Sequence, residues 1–151
     1  MQAIRHAIHL TEEAAWEMIR AARAQAQTLG IAVHVAVVDA SGELIAYSRM
    51  DGASLMSGGI AQNKAYTAAS FGWPTASWYP ILAKDPASLH GLVHTPRLVI
   101  FGGGLPVRVE GQVAGAIGVS GGTPAQDVEC AEAGIAALRA LGVAVESAGT
   151  G

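Results

Sequence analysis

The sequence predicts an α+β domain, an antiparallel sheet of five strands flanked by helices in the order α-β-β-α-β-β-β-α. Three observations carry this. Short β-branched runs succeed one another through tight turns, as hairpins do and parallel strands cannot. Long stretches near both ends place apolar residues at helical spacing behind capping residues. Hairpin-linked strands are grouped, with helices around them, rather than alternating with helices. At 151 residues the chain is long enough to bury one core without staples, so residues 1–151 are expected to form a single domain.

The first helix is expected from Thr11 to Leu29. Thr11 can cap it, Glu12 and Glu13 suit the positive end of its dipole, and Gly30 can end it. Ala15, Ile19, Ala22, Ala26 and Leu29 supply its buried stripe. IAVHVAVVD, the turn Ala40-Ser41-Gly42 and ELIAYSR then read as a hairpin. A second helix is expected over about 55–71. The following FGWPTASWYPILAKDPASLHGLVHTPR holds Pro74, Pro80, Pro86 and Pro96 with Trp73 and Trp78, so only short helical turns fit there. A long connection rich in aromatics points to function.

Three strands are expected next: RLVIF, then LPVRV after Gly102-Gly103-Gly104, then QVAGAIGVS across the tight link Glu110-Gly111. Thr123-Pro124-Ala125-Gln126 opens the last helix with a capping box and proline at the first position. Val128, Ala131, Ile135 and Leu138 form its buried stripe, Gly142 ends it, and VAVESAGTG is expected to fray.

The chain is 51% hydrophobic but only 14% charged, against about a quarter charged in ordinary domains. So few charges on a small protein imply that a partner covers apolar surface, and a symmetric homo-oligomer is expected. A net charge of −3 with nine Lys and Arg offers no basic footprint for nucleic acid. Cys130 is the single cysteine, so no intrachain disulfide forms and a cytoplasmic setting fits. MQAIRHAIHLTEE builds no apolar signal segment, and no stretch approaches a membrane span.

VVDASGELIAYSRMDGA, IAQNKAYTAASF and FGGGLPVRVEGQVAGAIGVSGGTPAQD resemble, in order and spacing, the GlcG/HbpS-like group, also called the haem-degrading-domain family. The C-terminal domain of PduO-type proteins is similar. The resemblance covers roughly residues 10 to 140. It implies a profilin-like fold, oligomeric assembly, haem or corrinoid association in some members, and placement beside catabolic operons in others. It does not imply one reaction, since fold analogy is weak evidence for activity.

Several residues are candidates for chemistry. Lys64, in KAYTA, shares a helix face with Ile60, Thr67 and Phe71. It either snorkels to solvent or pairs with an acid at an interface, or it is a desolvated ammonium that holds a carboxylate or moves a proton. Arg49 and Asp51, in RMDGA, either pair to fix the turn into the second helix or line the mouth of a pocket. His34 alternates with Ala32, Ala36 and Val38, and is either a hydrogen-bonded core or interface histidine or a haem ligand facing a cavity.

The triple glycine has no helix after it and is no phosphate loop; it lets two backbones, or a ligand, approach closely. Ser120 to Thr123 run into a helix N-terminus that can take a carboxylate, but without a G-x-G-x-x-G they do not suggest a nucleotide.

His90 and His94 are four apart, yet Gly91 and Pro96 argue against one continuous helix and no third ligand accompanies them. No metal centre is expected. They are surface histidines, or they line a pocket walled by Trp73, Trp78 and Tyr79 and act as ligand or acid–base.

Three functions remain open. The chain binds haem or another carboxylate-bearing cofactor at an intersubunit cleft, through His34, His90 or His94 with Lys64 or Arg49 on the carboxylates and Trp73 in the wall. Alternatively it is a cofactor-independent catabolic enzyme acting on an organic acid or ring-derived metabolite, with Lys64 orienting the anion and His90 or His94 moving a proton. Or it is an accessory scaffold whose apolar surface is its assembly interface.

Overall fold

A computed structural model describes residues 1–147. Helix α1 (Glu12–Leu29) is followed by strands β1 (His34–Asp39) and β2 (Leu44–Arg49), then helix α2 (Leu55–Phe71). A 3-10 turn at Thr75–Ser77 and short helices α3 (Trp78–Leu82) and α4 (Pro86–Leu92) cross to β3 (Gly104–Val109), β4 (Gln112–Ser120) and helix α5 (Pro124–Ala140).

The expected caps are in place. The Thr11 hydroxyl accepts from the Ala14 N–H, and Gly30 closes α1 at φ 71°. Thr123 and Gln126 form the reciprocal capping box of α5. Glu110 and Gly111 both take positive φ (52° and 72°), as a two-residue hairpin twisted like its strands requires. At the other hairpin the Asp39 carboxylate accepts from the Ser41 and Glu43 N–H groups at 2.8 and 3.1 Å.

The sheet has four antiparallel strands in the order β2-β1-β4-β3, so the expectation of five is corrected. RLVIF is not a strand. Arg97 turns to φ 68°, and one side chain takes the place of a ladder partner. The Thr67 hydroxyl donates to the Arg97 carbonyl at 2.9 Å and accepts from the Val99 N–H at 3.1 Å. β3 is therefore an edge strand, which is where Pro106 is tolerated.

Alternation along the central strands separates two faces. Val35, Val37, Ile117 and Val119 meet Met18, Ile19 and Ala22 of α1 and Ala131, Ile135 and Leu138 of α5. Ala36, Val38 and Ala116 face Ala65, Ala68 and Ala69 of α2. The second face is built of small residues, so α2 lies close on the sheet. A Cβ on Gly118 would sit 2.5 Å from the Ala65 nitrogen, and one on Gly104 2.5 Å from the Lys64 carbonyl oxygen. The glycine run thus serves backbone contact.

The start of the tail does not fray as expected: Val145 is buried and Glu146 bridges to Arg108. The Glu146 N–H donates to the Arg108 carbonyl, and its carboxylate accepts from the Gly111 N–H at 2.7 Å. Residues 148–151 of that segment lie outside the described residues. Among the described residues no helix is long and apolar enough to cross a membrane.

Candidate functional site

Lys64 is fully buried between α2 and the β4–α5 corner. Its ammonium donates to the Val119 carbonyl and to Asp127 Oδ2, each at 2.9 Å, and sits 5.1 Å from the centre of the Phe101 ring. Burial pulls its pKa below the ordinary 10.5, while the hydrogen bond and charge of Asp127 pull it back up. The acid it pairs with lies in its own chain, 63 residues on. Asp127 Oδ1 accepts from the Gly122 N–H at 2.9 Å, and Thr123 and Gln126 satisfy one another. The anion-binding amides expected at Ser120–Thr123 therefore already hold a carboxylate, that of Asp127.

His34 is also buried, and both ring nitrogens are engaged. Nε2 donates to the Ser54 carbonyl at 2.8 Å, which leaves Nδ1 to accept from the Tyr47 hydroxyl. Arg49 and Asp51 are exposed, and no ion pair joins them among the described residues. The turn between them is closed by backbone instead, with Met50 N–H on Val33 O, Ala53 N–H on Met50 O, and Gly52 at φ 84°.

His90 and His94 are both exposed. α4 ends at Leu92, so His94 lies beyond it. Ser88 and Leu92 share the helix face that lines a pocket, and His90, two residues from each, falls on the opposite side. No group of three potential metal-ligating side chains occurs among the described residues.

The aromatic connection does fold into a pocket. Phe71, Trp73 and Trp78 stand with ring centres 4.8 to 5.3 Å apart. With Leu82, Leu92 and Leu98 they line a cavity of about 390 Å³ whose hydroxyls come from Ser88 and Thr95. A second cavity of about 250 Å³ shares Phe71, Thr95 and Leu98 and adds Tyr66, Thr67 and Pro96. Trp73 thus stands in a pocket wall, whereas Lys64, His34, Arg49 and Asp51 do not line it.

Residues 10–136 match the family model of the haem-degrading protein HbpS-like group. The chain belongs to the HbpS-like family. An uncharacterized 15.0 kDa protein from the dhaT–dhaS intergenic region of Citrobacter freundii is 44% identical over 125 residues, 82% of this chain and 87% of that one. The crystal structure of Klebsiella pneumoniae protein ORFY superposes with a TM-score of 0.87 at 38% identity, covering 93% of this chain and 97% of that one. A PduOC:Heme complex superposes with a TM-score of 0.82 at 32% identity, covering 94% and 100%.

Residues that the sequence pattern does not single out organise this HbpS-like chain. Asp127 and Tyr47 complete the interactions of Lys64 and His34. Arg97 stands beside the second cavity with its guanidinium carbon 3.9 Å from the Tyr66 ring centre. In the sequence it reads only as an arginine directly after Pro96 that opens RLVIF.

Proposed function

We propose that this HbpS-like chain is a binding protein for a small planar ligand, haem or a related carboxylate-bearing cofactor, held in the groove between α2 and the 73–98 connection. The observation that carries the reading is the cavity walled by Phe71, Trp73 and Trp78, with few polar groups in its lining. The wall residue Trp78 also carries a buried indole N–H with no acceptor among the described residues.

The residues present fit one apolar edge of a flat macrocycle. With both His34 nitrogens engaged, the candidate iron ligand in this reading is His94, exposed and next in the chain to Thr95 of the lining. Bound haem would supply a redox-active iron, and the chain's own part is to hold and orient the ring. The haem complex of the structurally similar PduOC supports the ligand class. Assembly belongs to the same proposal. Leu55 and Met56, at the start of α2, are 90% and 79% exposed, apolar area that in this reading a second copy of the chain covers.

Titration of the purified protein with hemin tests this by Soret absorption and tryptophan quenching. Saturable binding is expected, weakened about tenfold or more by Trp73→Ala or Phe71→Ala, with His94→Ala displacing the Soret maximum. No saturable change, or binding indifferent to both aromatic substitutions, would overturn the reading.

A further inference from the structure

Arg97 is held in an arrangement whose local contacts leave part of its side chain unused. Its backbone sits at φ 68°, a region that side chains enter at a cost. Three contacts keep it there and fix the guanidinium. Thr67 donates to its carbonyl at 2.9 Å, its own Nε donates to Asn63 Oδ1 at 3.1 Å, and its planar head lies over Tyr66. The two terminal amino groups have no acceptor among the described residues. With Nε on Asn63 and the guanidinium carbon over Tyr66, these two groups are left as the fork that can meet both oxygens of a carboxylate.

The chain neighbours of Arg97 line a largely apolar cavity. Pro96 and Leu98, on either side of Arg97 in the chain, line the second cavity together with Tyr66, Phe71 and Thr95. That cavity shares Phe71, Thr95 and Leu98 with the aromatic one. An immobilised cation therefore stands beside a continuous apolar groove.

We infer that Arg97 is the carboxylate anchor of the groove, so that the ligand is an aromatic or polycyclic acid whose ring lies against Phe71 and whose carboxylate meets the Arg97 fork. This rests on the groove being a ligand site, as proposed above, and adds which ligands it selects. Thr67 and Asn63 are positioning residues for the anchor.

Calorimetric titration with 2-naphthoate and its neutral isostere 2-naphthamide separates the two. Naphthoate is expected to bind the wild-type protein, and to bind Arg97→Gln about ten- to a hundredfold more weakly. Arg97→Lys, which keeps charge without the fork, is expected to fall between them. Naphthamide is expected to bind all three proteins equally weakly, and circular dichroism melting checks that each variant folds. Equal affinities for acid and amide, or naphthoate binding unchanged in Arg97→Gln, overturn the anchor while leaving the groove as a ligand site. No binding of either probe, with hemin also failing to bind, overturns both.

Discussion

Lys64 and Asp127 meet inside the protein, Nζ to Oδ2 at 2.9 Å, with side chains 1% and 3% exposed. The pair joins the middle of α2 to the first turn of α5 across β4, and each member also holds backbone, Val119 O and the Gly122 N–H. Removing one partner leaves the other buried and uncompensated. Lys64→Met and Asp127→Leu are each expected to cost about 3–5 kcal/mol in urea unfolding. The double substitution should cost clearly less than their sum, because no charge is then stranded. Additive losses would show that the two side chains do not act as a pair.

Alkaline pH should reveal Cys130. Burial, with the charges of Asp127 and Glu129, pushes its thiol from 9.0 up to about 11. Between those values the unfolded thiol has lost its proton while the folded one keeps it, so this group's contribution to stability falls as pH rises. Lys64 acts with the opposite sign, since its lowered folded pKa favours folding as pH climbs towards 10.5. Comparing wild type with Cys130→Ala holds Lys64 constant. Their stability difference should shift by about 2–3 kcal/mol between pH 8 and pH 11, and a constant difference would refute the buried-thiol account.

The histidine pair should be silent in stability. Both side chains are exposed, and α4 stops before His94. His90→Ala/His94→Ala is expected to change unfolding free energy by no more than about 0.5 kcal/mol. Millimolar zinc should leave the wild-type Tm where it is. A zinc-dependent rise that disappears in the double variant would establish a metal site there.

What is legible in the chain is local. The caps of α1 and α5 and the Glu110-Gly111 hairpin are decided by residues within a few positions of one another, and the sequence displays them. RLVIF misleads because apolar β-formers satisfy a strand pattern whether or not a ladder partner is free. Here the Thr67 hydroxyl, 30 residues away, takes the backbone groups of Arg97 and Val99. Lys64 is visible as a lysine on an apolar face, but its partner Asp127 is not, because no periodicity links a helix to another element 63 residues on. Arg97 is hidden for the same reason. Its stacking on Tyr66 and its bond to Asn63 exist only once α2 and the connection are folded together.

The α2–sheet contact makes Gly118 intolerant of substitution. Its missing Cβ would collide with the Ala61 carbonyl and stand 2.5 Å from the Ala65 nitrogen. These are backbone atoms of a packed helix and cannot rotate aside. Gly118→Ala is expected to cost about 3 kcal/mol or more, at the upper end for an overpacked core. The loss would be read as a lower urea midpoint with the m-value preserved. A midpoint within error of wild type would show that α2 can back away from β4.

Adjacent glycines in α2 should respond in opposite directions. Gly59 is exposed, and a methyl group added there would have nothing within 4 Å of it, so Gly59→Ala should stabilise the helix by up to about 1 kcal/mol. Gly58 is buried, and a Cβ there would lie 2.9 Å from the Tyr47 hydroxyl and 3.2 Å from His34 Nδ1. Neither can yield easily, because Tyr47 is bonded to His34 and His34 to the Ser54 carbonyl. Gly58→Ala should therefore destabilise by about 1–3 kcal/mol despite its better helix propensity. Tyr47→Phe alone should also cost about 1–3 kcal/mol, since it strands the His34 acceptor. Combining Tyr47→Phe with Gly58→Ala removes the nearest colliding atom, so the double variant should lose less than the sum of the singles. Strict additivity in this cycle would mean that the hydroxyl of Tyr47 does not set the space available to Gly58.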